Sequence, residues 1–149
     1  MNGPYLALVL GLGSRAWTDR TLIDDVLTEV WHDARQDGYC GIKVMEGTAP
    51  GADRMCGQWA KARFEQGVGH LPVKADWEGP CAATCPPGHR KTRRDGVEYC
   101  PFAGHRRNQN MVDRRPLMAV AFQVGNSTGT ADCLRRLEAA GIPVRREAT

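Results

Sequence analysis

The sequence predicts an α/β fold: a single Rossmann-like domain of three layers, with helices on both faces of a mostly parallel sheet. Short apolar segments alternate with longer segments whose apolar residues have helical spacing, as in strands joined by crossover helices. Three of the apolar segments end in glycine-containing turns, which is typical of buried parallel strands that lead into helices. The length of 149 residues, 42% of them apolar, fits one hydrophobic core.

The first half of the chain predicts three strands and two helices. Residues 5–10 form an almost unbroken apolar run, and Thr18 and Asp19 then offer an N-cap for the first helix. Its apolar residues recur at helical spacing: Leu22, Ile23, Val26, Leu27, Val30 and Trp31. Residues 42–46 and 70–75 predict the next two strands. The helix between them carries Met55, Cys56, Trp59, Ala60 and Phe64.

The second half predicts two further strands, at residues 117–122 and 143–146, and two helices, at residues 106–113 and 129–140. Residues 76–104, called the insertion below, interrupt this alternation. They contain four prolines and four glycines and have almost no apolar periodicity. A loop of this length within a domain is usually functional, disordered or held by something other than a core.

Composition restricts the classes of function. No apolar run approaches the roughly 20 residues of a membrane span, and the first ten residues lack the basic region of a secretory signal. We therefore expect a cytoplasmic protein without a membrane partner. The net charge of +3 does not by itself indicate a nucleic-acid-binding protein. Six basic residues are nevertheless concentrated in one stretch: Arg90, Lys91, Arg93, Arg94, Arg106 and Arg107.

The glycine-containing turns, the first of which begins at Gly11, carry most of the candidate ligand-binding residues. In a parallel sheet, these turns meet at one edge, where unpaired N–H groups and helix dipoles attract anions. The candidates are Gly13, Ser14, Arg15, Gly47, Thr48, Gly51, Ala52, Asp53, Gly125, Ser127, Thr128, Gly129 and Thr130. Each turn alone also fits a purely structural role, but three at one edge favour a nucleotide or another phosphorylated ligand. No Gly-Lys-Ser or Gly-Lys-Thr sequence is present, which argues against ATP hydrolysis.

Five short motifs give the chain a more specific resemblance. They are Gly13-Ser14-Arg15, Gly47 with Gly51-Ala52-Asp53, Asp76-Trp77, Arg107-Asn108-x-x-Met111, and Gly129-Thr130-x-Asp132. In this order the chain resembles the YspA-like branch of the SLOG superfamily, a group of Rossmann-type nucleotide-binding domains found in bacteria and their phages. The resemblance implies a nucleotide site that includes Arg107 and Asn108, with Arg15 and Arg107 as the phosphate contacts.

The same superfamily is similar to phosphoribohydrolases, which release a base from a nucleoside monophosphate. The position of their catalytic glutamate, three residues after Thr130, holds Cys133 in this chain. Asp132 precedes it and, because a helix turns about 100° per residue, would point elsewhere. Asp53 and Glu46 are the other candidates for a catalytic carboxylate, although Asp53 also fits as a structural first-turn acid. The sequence thus favours ligand binding, as by a sensor or sequestering protein, with a nucleoside-monophosphate N-glycosidase as the alternative.

Four residues of the insertion have the composition of a closed tetrahedral zinc site: Cys81, Cys85, His89 and Cys100. The insertion lacks the apolar residues to order itself by burial, so we predict structural zinc. Reduced thiols and a disulfide are the alternatives, and His105 could replace His89. Four protein ligands leave no position for metal-bound water, which argues against zinc hydrolysis.

A folded insertion would present its basic residues beside the third predicted helix. They could form a lid that adds positive charge to a polyphosphate ligand, or a contact for nucleic-acid phosphates. Only Tyr99 and Phe102 are available there to stack on bases, so the lid is favoured. Trp17, near Arg15, fits either base stacking or a buried structural position. The sequence leaves a homo-oligomer open.

Overall fold

The computed structural model describes residues 5–148, in which five strands form one parallel sheet. The strands are β1 (Leu6–Gly13), β2 (Gly41–Glu46), β3 (Gly69–Pro72), β6 (Met118–Gln123) and β7 (Val144–Ala148). Their order across the sheet is β3-β2-β1-β6-β7, and every neighbouring pair is parallel. The strands β2 and β3 therefore follow one another on one side of β1, and β6 and β7 follow one another on its other side.

Four helices cover the two faces of the sheet: α1 (Arg20–Gln36), α2 (Ala52–Lys61), α3 (Ala103–Asp113) and α4 (Thr128–Ala139). One apolar cluster joins α1 and α2 to the sheet, and a second joins α3 and α4 to its opposite face. Adjacent strand residues are buried on opposite sides: Val9 belongs to the first cluster and Leu10 to the second. The three-layer α/β prediction is confirmed.

The first strand is longer than predicted, because Gly11–Gly13 continue the ladder with β6 instead of forming a turn. Gly11 is required there by packing, since an added Cβ would lie 2.8 Å from Cys56 Sγ on α2. Phe64 lies outside α2, in a short 3-10 helix (Phe64–Gln66), and is exposed. The third strand ends at Pro72, before the predicted residue 75.

The insertion contains two strands of two residues each, β4 (Lys91–Thr92) and β5 (Glu98–Tyr99), which pair antiparallel. This hairpin was not predicted from the sequence. None of residues 74–99 is buried, so the insertion has almost no core of its own. In the described part of the chain, no helix has the length and apolar character to cross a membrane. The prediction about a secretory signal rests partly on residues 1–4, which lie outside the described residues.

Candidate functional site

A cavity of about 460 Å³ lies at the carboxyl edge of the sheet, beside β1 and the turn that follows β6. These two strands are neighbours at the point where the strand order reverses, which is where open α/β sheets bind ligands. The first turns of three helices line it, with Asp53 from α2, His105 from α3 and Thr130 from α4. The insertion adds Trp77 and Pro101 to the wall.

Nine of the predicted ligand-binding residues line this cavity: Gly13, Arg15, Asp53, Arg107, Asn108, Ser127, Thr128, Gly129 and Thr130. The other six, Ser14, Gly47, Thr48, Gly51, Ala52 and Gly125, do not. Several of these six instead hold together the loops around the cavity. The structure therefore brings four separated sequence segments to one place, but it divides the predicted residues between the cavity wall and the loops that support it.

Ser14 and Gly51 show this supporting role. Ser14 is buried, and its hydroxyl accepts the Val124 N–H at 2.9 Å and donates to the Val124 carbonyl at 3.1 Å. Gly51 has a φ of +83°, and an added Cβ would lie 2.4 Å from the Arg15 carbonyl oxygen. The close backbone approach that this glycine allows is thus an approach to the β1–α1 loop.

Arg107 connects α3 to the loop between β2 and α2. Its Nη1 donates to the Gly47 carbonyl, and its Nε donates to Asn108 Oδ1 at 3.1 Å. Gly47 leaves room for this contact, because an added Cβ would lie 2.7 Å from Arg107 Nη1 and 2.9 Å from Asp53 Oδ2. The guanidinium therefore lines the cavity in a fixed position.

Asp53 is the one carboxylate among the residues that line the cavity. It is 7% exposed, and its Oδ2 accepts the Ala49 N–H at 3.3 Å. Burial raises the pKa of Asp53 to about 6. The positive charge of Arg107 lowers this pKa and the negative charge of Glu46 raises it, but burial has the largest effect. This carboxyl group consequently changes its charge close to neutral pH.

The other two candidate carboxylates lie outside the cavity lining. Glu46 is buried, and its two oxygens contact the Thr48 N–H at 2.5 Å and His70 Nε2 at 2.7 Å. Asp132 accepts from Asn108 Nδ2 at 3.0 Å and from Arg136 Nε at 2.9 Å. Burial opposes ionisation of Asp132, but these hydrogen bonds outweigh it and lower its pKa.

Cys133, the next residue on α4, does line the cavity. Burial, together with the charges of Asp53 and Asp132, raises the pKa of this thiol to about 12. It is therefore an uncharged group at neutral pH. The side chains of Asp132 and Cys133 point in different directions because successive residues of a helix are rotated by about 100°.

The raised pKa of Asp53 predicts a pH-dependent effect of Asp53→Asn on stability. Its pKa of about 6 in the folded protein exceeds the ordinary 3.8, so the protonated group favours folding at low pH. That contribution is complete below about pH 4 and is lost as the pH rises through 6. At pH 7.5 we expect Asp53→Asn to raise the free energy of unfolding by about 3 kcal/mol, with a much smaller gain at pH 4.5.

Urea unfolding at the two pH values measures this difference. Asp25→Asn, which changes an exposed carboxylate on α1, is the matched control and should have a small effect at both. An equal effect of Asp53→Asn at pH 4.5 and 7.5 would show that the Asp53 carboxylate is not destabilised by burial.

The insertion gathers the four predicted metal ligands. Their ligand atoms, three Sγ and one imidazole nitrogen, all lie within 4.8 Å of one another: Cys81, Cys85, His89 and Cys100. His89 Nε2 lies 3.1 Å from Cys81 Sγ and 3.2 Å from Cys100 Sγ, while its Nδ1 lies 2.7 Å from the Pro86 carbonyl. That carbonyl fixes the ring and leaves Nε2 for a metal. This group could hold a metal ion.

Two arginine guanidinium groups contact the cysteine sulfurs. Arg90 Nη1 lies 3.0 Å from Cys81 Sγ, and Arg106 Nη1 lies 3.4 Å from both Cys85 Sγ and Cys100 Sγ. Burial tends to raise the pKa of Cys100, but hydrogen bonds led by that of Arg106 lower it to about 6. The thiolate, the form that binds metals, is thus favoured here.

The insertion lines the cavity with uncharged residues, unlike the charged lid that the sequence favoured. Arg90 and Arg106 contact the cysteines, and Arg93 contacts Glu78 at 2.7 Å and lies 5.1 Å from the Tyr99 ring. Of the six basic residues in this stretch, Arg107 alone lines the cavity. Three of the six therefore contact residues of the insertion instead.

Nine further residues line the cavity that the sequence did not indicate as binding residues: Leu12, Ala49, Trp77, Pro101, Gly104, His105, Met111, Asn126 and Cys133. In the sequence, Trp77 stands out only as part of a motif and His105 only as an alternative metal ligand. The structure places His105 in the cavity wall, with its Nδ1 4.0 Å from Asp132 Oδ1. The repeated strand–turn–helix pattern could not indicate Trp77 and Pro101, because their place in the wall depends on how the insertion folds back over the sheet edge.

Comparisons with known proteins agree with the resemblance in the motifs. Residues 8–79 match the family described as YspA, cpYpsA-related SLOG. The chain is 36% identical over 138 residues to the Gene 61 protein of Mycobacterium phage D29, covering 91% of this chain and 92% of that protein. A solved structure of DNA processing protein A (DprA) from Streptococcus pneumoniae is similar with a TM-score of 0.46 and 11% identity. That match covers 94% of this chain but only 58% of the DprA chain. The chain belongs to the YspA, cpYpsA-related SLOG family.

Proposed function

We propose that the cavity binds a nucleotide or nucleotide-derived small molecule, as in a sensor or sequestering protein. The observation that carries this proposal is the convergence of three helix N-termini with Arg15 and Arg107 on one cavity of about 460 Å³. N–H groups of a first helical turn have no intrahelical acceptor, and the helix dipole favours an anion beside them. Membership of a SLOG family supports nucleotide-related binding in general.

The first turn of α4 is the best place for a phosphate. Ser127 caps this helix by accepting the Thr130 N–H at 3.5 Å, and its neighbours add two threonine hydroxyls. Gly129 lines the cavity, and an added Cβ there would have no atom within 4 Å. The protein's own packing therefore does not demand glycine at this position, whereas a ligand lying against the backbone would.

This proposal predicts that Gly129→Leu blocks ligand binding without disturbing the fold. The test is a thermal-shift panel of nucleoside mono-, di- and triphosphates, cyclic nucleotides and ADP-ribose. A ligand at 100 times its Kd should stabilise the wild-type protein by about 2.7 kcal/mol, which raises Tm by roughly 5–10 °C. Gly129→Leu should lose this response because its side chain fills the cavity.

The control for that prediction is Ala139→Leu, which adds the same side chain to an exposed position at the other end of α4. It should keep the full response. A panel without any stabilising compound, or a Gly129→Leu variant that responds as the wild type does, would contradict the proposal. Oligonucleotides belong in the panel as well, since steeply salt-dependent binding of them would favour a nucleic-acid contact instead.

We also propose that the metal of the insertion is structural zinc. With ordinary Zn–S and Zn–N bonds, tetrahedral geometry separates two sulfurs by about 3.8 Å and a sulfur from a nitrogen by about 3.6 Å. The distance of 3.9 Å between Cys85 Sγ and Cys100 Sγ matches this geometry, whereas the two sulfur–nitrogen distances to His89, 3.1 and 3.2 Å, would each lengthen by about 0.4–0.5 Å around zinc. Three thiolates around Zn²⁺ leave one net negative charge, which the guanidinium groups of Arg90 and Arg106 offset.

A second candidate function, a nucleoside-monophosphate N-glycosidase, is favoured by one observation. Asp53 lies in the cavity wall with a pKa of about 6, which suits a carboxyl group that activates water or stabilises a developing oxocarbenium ion. Chromatography of the same nucleotide mixtures for free base decides between the two functions. Release of base by the wild type but not by Asp53→Asn supports the enzyme, and its absence with retained binding supports the sensor.

A further inference from the structure

Trp77 is the tryptophan that lines the cavity. The other three, Trp17, Trp31 and Trp59, belong to or pack against the apolar cluster under α1 and α2. Trp17 in particular is 1% exposed and lies 5.4 Å from the Phe122 ring, which makes it a structural residue. Trp77 is half-buried in the insertion and remains available to a ligand.

Trp77 is held from three sides. Its carbonyl accepts the Cys100 N–H at 2.8 Å, and its ring meets the Tyr99 ring edge to face at 6.4 Å and 74°. Its Cη2 would lie 3.0 Å from a Cβ added at Gly104, so only a residue without a side chain allows this approach to α3. A ring fixed in this way loses little conformational freedom when a ligand packs against it.

The cavity wall offers two kinds of surface. Arg15, Arg107 and the first turn of α4 are polar, whereas Trp77, Pro101 and Met111 are apolar. A ligand that matches both kinds of surface carries an anionic group and a flat apolar group. A nucleotide has this combination, and a sugar phosphate lacks the flat group.

We infer that Trp77 stacks on the nucleobase, so that the cavity selects intact nucleotides over sugar phosphates. This inference rests on the proposed function and specifies the ligand class of the same site. Stacking on an aromatic side chain is worth roughly 5- to 150-fold in affinity and tolerates every base, because each base has a π-face. The apolar surface thus contributes selection for a base, while the polar groups hold the phosphate.

The test compares each of the four nucleoside 5′-monophosphates with ribose 5-phosphate by isothermal titration calorimetry. We expect the best-bound nucleotide to bind at least 10-fold tighter than ribose 5-phosphate to the wild-type protein. Trp77→Leu should reduce this ratio to about 2 or less, and Trp77→Phe should retain most of it because phenylalanine still stacks. Nucleotide binding should also quench tryptophan fluorescence in the wild type but not in Trp77→Leu.

Trp31→Phe, which changes a half-buried tryptophan that does not line the cavity, should leave both affinities and the quenching unchanged. Equal binding of ribose 5-phosphate and every nucleotide by the wild type would overturn the role of Trp77 and leave the phosphate site standing. Absence of binding by both classes would overturn the proposed function itself. The wild-type ratio decides the matter even where Trp77→Leu fails to fold.

Discussion

Removing the proposed zinc is expected to unfold the insertion while the sheet and its helices persist. Residues 74–99 include no buried side chain, so packing cannot hold this segment once its cross-link is lost. Lys91, Arg93 and Arg94 are exposed within it and offer cleavage sites for trypsin. Chelation or Cys100→Ser should therefore accelerate cleavage there at least 10-fold, with little change in far-ultraviolet circular dichroism.

The same treatment should weaken ligand binding, because the metal ligands and the cavity wall share one segment. The Cys100 N–H bonds the Trp77 carbonyl, and α3 begins at Ala103. The ring of His89 also stacks on Phe102, 5.7 Å away, which is the N-cap residue of α3. Disorder of the insertion would thus release Trp77 and loosen the first turn of α3.

Two measurements control this prediction. Elemental analysis of protein purified without chelator should find one zinc per chain, and Cys40→Ser, which changes an exposed cysteine outside the group, should alter neither zinc content nor cleavage. A zinc content near zero, or a Cys100→Ser variant as resistant to trypsin as the wild type, would be incompatible with a structural metal site.

Arg107→Ala is expected to lower the affinity for a phosphorylated ligand by about 10- to 100-fold. A hydrogen bond to a charged group contributes about 1.5–3 kcal/mol, and Arg107 is the guanidinium held rigidly in the cavity wall. The substitution also removes the donor to the Gly47 carbonyl and the positive charge that lowers the pKa of Asp53. The β2–α2 loop and the anion site should therefore be affected together.

Calorimetric titration with the best ligand of the thermal-shift panel measures this loss. Arg107→Lys keeps the charge but not the planar fork and should fall between the wild type and Arg107→Ala. Arg114→Ala removes an exposed arginine at the end of the same helix and should bind as the wild type does. If Arg107→Ala retained full affinity, the phosphate would not lie against α3.

The arrangement of strands and helices could be predicted because it depends on local patterns. The apolar run before Gly11 indicates a buried strand, and the helical spacing of Ile23, Val26 and Leu27 indicates the buried face of a helix. Each element needs such a pattern wherever it lies in the fold. The grouping of the candidate metal ligands was predictable for a similar reason, since Cys81, Cys85 and His89 follow one another at short intervals. In each case the signal is contained in a few neighbouring residues.

The sequence could not predict which candidate residues line the cavity and which support its loops, because this depends on contacts between distant segments. Ser14 forms a hydrogen bond with Val124, 110 residues away, and residue 51 must be glycine because a side chain there would collide with the backbone of Arg15. Trp77 and His105 enter the cavity only through the path of the insertion. The shifted pKa of Asp53 likewise arises from burial in the folded chain.

An amide-resolved NMR titration with the nucleoside 5′-monophosphates locates the bound phosphate. Its proposed position is the first turn of α4, between β1 and the start of α3. This position predicts the largest chemical-shift changes at Thr128, Gly129 and Thr130, with accompanying changes at Gly104 and the Arg107 side chain. Saturable changes confined to another surface, such as the exposed hairpin around Arg93, would contradict it.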